Sequence, residues 1–265
     1  MEIIANESKV RNINKKGPMS ATRFKRILLK VGGESLIGDR SYGIDPVSAL
    51  NVAEQIKEVY IKHVQIAIVI GGGNIFRGIA GSQNGIERAT ADYMGMLATV
   101  MNALALQDAL EKTGVPCRVQ SALQMPAVAE SFIRRKAIRH MEKGRVVILA
   151  AGTGVPYVTT DTGAALHALE LKCDVLMKAT KVDGIYENDP EKNPSARRYS
   201  KMNFTEVIMR DGIDIMDTAA LAMAKDNDMP IMVFELFKKH NLVKAVDGED
   251  IGTFVSNDVK TEFSK

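Results

Sequence analysis

A chain of 265 residues, 46% hydrophobic and 25% charged, has the balance of a globular protein and enough length for one large α/β domain. Lys and Arg number 35 against 32 Asp and Glu, a net charge of +3; the mixed signs argue against a nucleic-acid or membrane footprint. No apolar stretch reaches the length of a membrane span, and with no tryptophan the chain lacks the usual stacking platform for single strands.

Residues 1–23 are polar and basic, lack the apolar core of a signal peptide, and read as a disordered N-terminal extension with Met19 as an alternative start to Met1. From residue 24 to residue 265 a single domain is expected. Apolar, β-branched runs at 26–31, 64–70, 118–123, 145–151, 174–177 and 231–234 predict strands buried on both faces. Helices are predicted between them. One spans 45–63, capped by Asp45 with Pro46 in its first turn and with Val47, Leu50, Val52, Ile56 and Val59 as its apolar positions. A long one spans 89–112 and ends at Gly114-Val-Pro116. Two more, at 161–172 and 217–227, each open on an aspartate with small residues behind it. Strands alternating with helices imply βαβ units, a mainly parallel sheet, and a ligand at the carboxyl ends of the strands. The loop at 187–198, with two prolines, is the most polar connection. Cys117 and Cys173 sit apart beside apolar runs without metal-ligand spacing, as expected of reduced thiols in a cytoplasmic protein. The four histidines are scattered without evident partners, and the basic run 134–140 reads as a solvated helix face.

Four strand ends carry chemistry. The first, "RILLKVGGES", places Lys30 inside a buried run before Gly32-Gly33; it reads equally as an anion-binding lysine or as one that reaches out to solvent at a turn. The second, "IVIGGGNIFRG", lacks the Gly-Lys-Ser/Thr of a Walker loop, and Phe76 stands where a dinucleotide fingerprint needs a small residue. Arg77 adds a guanidinium suited to phosphate. The third, "LAAGTGVPYVTTD", runs from a Gly-Thr-Gly turn into Asp161, which reads as an N-cap or as a carboxylate that holds a lysine. The fourth, "MKATKVDGIYENDP", carries the turn Asp183-Gly184 and offers Tyr186 and Asp189 to a base and a ribose. Several glycine-bearing strand ends with basic residues favour a phosphate ligand over any single motif.

Those segments, with "DYMGMLATVMNALALQDAL", resemble the bacterial uridylate (UMP) kinases of the amino acid kinase superfamily from about residue 24 to residue 256. The resemblance implies a three-layer αβα sandwich around a mainly parallel sheet, assembled as a homohexamer, with the UMP site mainly in the N-terminal half and the ATP site mainly in the C-terminal half. It implies transfer of the γ-phosphoryl of Mg-ATP to UMP, with Mg²⁺ carried by ATP and no protein metal ligands. By the same resemblance Lys30, Arg77, Asp161 and Asp217 are catalytic. Lys30, Val31, Gly32, Gly33, Gly73, Arg77, Thr180, Tyr186 and Asp189 serve ATP. Gly72, Arg77 and Asp92 serve UMP together with Thr153, Gly154, Val155, Pro156, Tyr157, Val158, Thr159 and Thr160. Relatives are inhibited by UTP and activated by GTP. Gly38, Asp39, Arg40, Ser41, Tyr42 and Gly43 lie where some relatives place the GTP effect, although Gln107 and Glu111 replace basic residues that would suit a triphosphate. The competing expectations are a sister kinase acting on a carboxylate or carbamate, and a nucleotide-sensing regulator without turnover.

Overall fold

The computed structural model describes residues 22–77, 85–210, 212–213 and 215–264. Ten strands form one sheet: β1 (Arg26–Val31), β2 (Gln65–Ile70), β3 (Cys117–Ser121), β4 (Glu130–Ser131), β5 (Val146–Ala150), β6 (Val175–Thr180), β7 (Tyr199–Asn203), β8 (Ile231–Glu235), β9 (Gly252–Ser256) and β10 (Glu262–Phe263). Their order is β10-β7-β9-β8-β6-β1-β2-β5-β3-β4. The pairing is parallel except at β8–β9 and β7–β10. This is an α/β fold with helices on both faces. The helices are α1 (Pro46–Tyr60), α2 (Arg88–Lys112), α3 (Arg134–Glu142), α4 (Thr160–Glu170), α5 (Phe204–Met209), α6 (Thr218–Asp226) and α7 (Asn241–Asp247).

Alternation along each strand divides the core in two. Ile27, Leu29 and Val31 of β1 and Ile66, Ile68 and Ile70 of β2 face α1, α2 and α7. Leu28 and Val69 face the opposite layer with Ala164 and Ala168 of α4 and Leu221 of α6. Because side chains alternate with period two, Lys30 shares the face of Leu28, and Lys178 shares that of Leu176. The sheet order reverses at β1, with β2 on one side and β6 on the other. A crevice at the carboxyl ends of the strands is expected at such a point.

All six predicted strands are present, and the sheet is longer than expected at both edges. β4 and β10 have two residues each, and β7 (YSKMN) and β9 (GTFVS) mix polar with apolar residues, so neither shows a buried run. Asp45 caps α1 by accepting from Ser48 N at 2.9 Å, with Pro46 at the first position. The buried stripe of α1 is Ala49, Val52, Ala53, Ile56 and Val59. Val47 and Leu50, assigned to that stripe from the sequence, are exposed, because the tighter-packing alanines at 49 and 53 take their place against the sheet. The expected extension at 1–23 lies outside the described residues up to residue 21. Arg23 is placed: its N–H donates to Val246 O at 3.1 Å and its guanidinium lies over the Phe254 ring.

Candidate active site

The glycine turns after β1 and β2 press against each other. A Cβ on Gly33 would stand 2.3 Å from Asn74 Oδ1 and 2.9 Å from Gly71 O. One on Gly72 would stand 2.8 Å from Gly95 O, inside α2. Part of what approaches the triplet is therefore protein: glycine lets the turn seat against the long helix as well as against a ligand. The turn after β5 is anchored to the same helix, where Thr99 Oγ1 of α2 accepts from Ala151 N at 2.7 Å. Ala151 and Tyr157 both have positive φ, 63° and 69°. Such backbone strain in non-glycine residues concentrates at functional loops.

The electrostatic centre lies between β1, β6 and α4. Lys30 and Lys178 are directly paired in register on adjacent parallel strands. Lys30 Nζ lies 2.9 Å from Asp161 Oδ1, and Lys178 Nζ lies 2.7 Å from Asp161 Oδ2. All three side chains are largely buried, so two ammonium groups share one carboxylate with little water around them. Two buried ammonium groups gathered at the carboxyl ends of the strands suit a phosphate ligand. Lys178 also donates to Ile215 O.

Asp161 can reach both lysines because it does not cap the helix. The cap of α4 is Thr159, whose Oγ1 accepts from Asp161 N and Thr162 N at 3.1 Å each. The N-cap reading of Asp161 is therefore corrected by two residues, and its carboxylate is left for the sheet. Asp217 is the N-cap of α6, accepting from Ala220 N at 2.9 Å. It also accepts from Thr162 Oγ1 at 2.8 Å and from Thr159 Oγ1. Burial disfavours its charge, yet these hydrogen bonds from Thr159, Ala220 and Thr162 prevail and hold its pKa below the usual carboxylate value. Asp217 thus clamps the start of α4 to the start of α6.

Beside this centre a cavity of about 230 Å³ opens between the β2 turn, α2 and the segment preceding α4. Gly72, Gly73, Arg77, Asp92, Thr153 and Val158 contribute to its walls. Thr159 and Thr160 line it too, immediately before Asp161. Arg77 Nε donates to Gly73 O at 3.3 Å. Asp92 is engaged by Arg88 Nε at 3.0 and 2.9 Å and accepts from Tyr157 N at 2.8 Å. Of the segment 153–160, Val155, Tyr157 and Val158 are exposed, Pro156 is partly so, and Gly154 packs against Ala122.

The residues expected for ATP fall mainly past β6. Thr180 ends that strand and donates from Oγ1 to Phe234 O at 3.2 Å. Tyr186 donates its hydroxyl to Asp183 Oδ1 at 2.6 Å; burial and the carboxylate push its pKa up to about 12. Asp189 turns into its own loop, accepting from Glu191 N at 3.0 Å and pairing with Lys192 at 3.3 Å, which lowers its pKa. Val31 ends β1, and Gly32 leads into a single 3-10 turn that begins at Gly33. Residues 38–43 form an outer loop on which Tyr42 is exposed and Arg40 Nη1 donates to Ile44 O at 3.2 Å.

Sequence reasoning missed Lys178, Arg88, Thr159 as a cap, and Asp183. Lys178 carried the same signal as Lys30, a lysine inside an apolar strand, but ending the strand at Met177 hid it. Three of the four histidines have side-chain partners. His140 Nε2 lies 3.0 Å from Glu130 Oε2, His167 Nδ1 2.9 Å from Glu170 Oε2, and His240 Nδ1 2.8 Å from Glu58 Oε1. These contacts link helices to neighbouring elements or cap helix ends, away from the lysine pair.

The mostly parallel sheet carries at its switch point a carboxylate-bridged lysine pair beside glycine turns, an arrangement suited to a phosphate ligand. The chain belongs to the amino acid kinase family, whose profile matches residues 25–235. Among solved structures it is similar to a UMP kinase from Bacillus anthracis, at 35% identity and a TM-score of 0.87, covering 91% of this chain and 99% of that one. A UMP kinase from Ureaplasma parvum is 35% identical with a TM-score of 0.83, over 88% of this chain and 99% of that one. A uridylate kinase from Archaeoglobus fulgidus is 28% identical with a TM-score of 0.67, over 87% and 99%.

Proposed function

We propose that this protein is a UMP kinase that transfers the γ-phosphoryl group of ATP to UMP, giving UDP and ADP. The observation that carries this reading is the Lys30–Asp161–Lys178 group set next to a cavity holding Arg77 and Asp92. One side offers two ammonium groups to a transferring phosphoryl, and the other offers a guanidinium for an acceptor phosphate and a carboxylate for ribose hydroxyls. The solved UMP kinases named above support the same choice of acceptor.

The chemistry asks little of a base. A nucleoside monophosphate oxygen is already anionic near neutral pH, so it attacks the γ-phosphorus without losing a proton in the step. The bond from the γ-phosphorus to the β–γ bridging oxygen breaks as the new one forms, and ADP leaves with that oxygen. The barrier lies in bringing two polyanions together and in charge spreading over the transferred group. Lys30 and Lys178 face that charge, and Asp161 fixes both ammonium groups in place without accepting a proton. Arg77 and the N–H groups of the glycine turns hold phosphate oxygens. Asp217 holds the N-termini of α4 and α6 together, and so keeps Asp161 at its height.

Among the described residues no group of three His, Cys, Asp or Glu side chains could hold a metal ion. A divalent ion carried on the nucleotide's own phosphates is part of this proposal. Mg²⁺ carried in with ATP would neutralise part of the phosphate charge.

UTP, sharing the uridine, is expected to compete for the acceptor cavity. GTP activation through residues 38–43 is a weaker proposal, given Gln107 and Glu111 on α2. Support for a homohexamer comes from α2, where Tyr93, Met94, Leu97 and Met101 are exposed along one side, an apolar row suited to a second copy. The described helices include none long and apolar enough to cross a membrane, and a cytoplasmic enzyme of pyrimidine nucleotide synthesis is the setting proposed.

A coupled assay for ADP release compares UMP, CMP, aspartate, glutamate and carbamate as acceptors. Turnover with UMP well above the rest is expected. Turnover confined to a carboxylate or carbamate would establish the sister activity, and none with any acceptor would establish a non-catalytic sensor.

A further inference from the structure

One buried polar group has no part in the chemistry above. Asn102 lies on the inner side of α2 and is fully buried, and Asn74, just past the glycine triplet, is nearly so. Their side-chain amides form a reciprocal pair. Asn74 Nδ2 donates to Asn102 Oδ1 at 3.0 Å, and Asn102 Nδ2 donates to Asn74 Oδ1 at 2.7 Å. Asn102 Nδ2 spends its second hydrogen on Gly71 O at 2.7 Å, and Asn74 Nδ2 spends its second on Gly43 O at 2.8 Å. Gly43 N returns a bond to Asn74 O at 2.7 Å.

Every side-chain hydrogen of the pair is thereby used, which makes a buried polar network rigid and specific. The four elements it joins are all attached to the site. They are the long helix through Asn102, the β2 turn through Gly71, the β1 turn through the contact of Asn74 with Gly33, and the outer loop through Gly43. An apolar pair at 74 and 102 would fill the same volume, yet it would leave the Gly71 and Gly43 carbonyls without these donors and the β2 turn free to shift along α2.

We infer that Asn74 and Asn102 act as one positioning device. They fix the height of the Gly71–Gly73 turn relative to the Lys30 turn, and they tie the 38–43 loop to that turn. Neither touches substrate. Their effect passes through the backbone N–H groups of the glycine turn, and it rests on the phosphotransfer reading above. Misplacement of a phosphate-binding turn by about 1 Å is enough to lower turnover about 10²-fold. The two side chains form one unit, so losing either should cost about as much as losing both.

The test is steady-state kinetics on Asn74→Ala, Asn102→Ala and the double variant, measured well below each melting temperature and per folded molecule. We expect kcat to fall about 10²-fold in each single variant, with a smaller change in the KM for UMP and no further fall in the double variant. Asn102→Asp supplies a second readout in a side chain of the same shape. Its ionised carboxylate repels Gly71 O, whereas its protonated form can donate to it, so variant turnover relative to wild type should rise as pH falls. Wild-type kcat in both alanine variants, losses that multiply in the double variant, or a flat pH ratio for Asn102→Asp would overturn the inference. Absence of UMP turnover in the unaltered protein would instead overturn the function proposed for the site.

Discussion

Replacing Lys178 with methionine tests the centre of the site most directly, because the two chains are similar in length and only one is charged. In the folded protein two ammonium groups meet one carboxylate, at 2.9 and 2.7 Å. The change removes one of the two ammonium groups and leaves Lys30 with Asp161. A unit charge about 4 Å from the developing phosphoryl charge, at an effective dielectric of about 20, is worth ~4 kcal/mol. Losing one preorganised donor in other enzymes lowers kcat by roughly 10²–10³, about 3–4 kcal/mol. The two routes agree, and the expected fall in kcat is about 10²–10³-fold. Stability should respond differently. Lys178 loses its ion pair with Asp161 and its hydrogen bond to Ile215 O, the latter about 1 kcal/mol, but repulsion between two buried cations is relieved and Asp161 keeps Lys30. The net change in unfolding free energy is expected to stay within about 1 kcal/mol. The assay is ADP release at saturating ATP and UMP, with a calorimetric melt on the same preparation. Turnover near the wild-type value, or a loss of activity matched by a collapse in melting temperature, would refute a catalytic role for Lys178.

Other outcomes follow from single contacts. Arg77→Ala should raise the KM for UMP by about 10- to 100-fold, the value of a charge-assisted hydrogen bond of ~1.5–3 kcal/mol, while leaving the KM for ATP much less changed; equal effects on both substrates would contradict its placement. Asp217→Asn should destabilise the protein near neutral pH by about 1–2 kcal/mol, measured by urea unfolding. Its folded pKa lies below the ordinary 3.8, so the carboxylate's contribution is complete above that value. It is lost as pH falls through the lower folded value, and the gap between wild type and variant should narrow there; a gap that widens on acidification would show the sign to be wrong. Gly33→Ala should cost about 1–3 kcal/mol by overpacking, with loss of turnover, because its Cβ meets Asn74 and the Gly71 carbonyl; a fully active, stable variant would show that the turns can separate freely. Burial pushes both the Cys117 and the Cys173 thiol up to about 12, so neither should react with a thiol reagent in mildly alkaline buffer until the protein unfolds.

How much of this was legible beforehand depended on whether a residue's role is decided by its neighbours in sequence or in space. The strands β1, β2 and β5 announced themselves as apolar runs, since strands covered on both faces need continuous hydrophobicity. Asp45 and Asp217 were readable as caps because capping is a matter of two or three residues. The glycine turns and Arg77 were expected at one phosphate site, and the structure does gather Gly72, Gly73 and Arg77 around one cavity; the motifs between residues 24 and 256 pointed to the family that the profile match bears out over 25–235.

The partners were not readable. Asp161 has the local signature of a cap, but Thr159, two residues earlier, takes the backbone N–H groups and frees the carboxylate for Lys30, 131 positions away, and for Lys178. Only the parallel pairing of β1 with β6 puts the two lysines side by side. The amides of Asn74 and Asn102, 28 residues apart, meet only when α2 lies against the glycine turn. Strands near the edge such as β7 and β9, each paired on both sides, draw their order from that pairing and not from a buried run. Local chemistry, caps, turns and strand hydrophobicity belong to the sequence alone, because each is settled within a few residues. Which charge faces which, and which glycine makes room for protein and which for ligand, belongs to the tertiary structure, because those energies exist only after distant strands have been brought together.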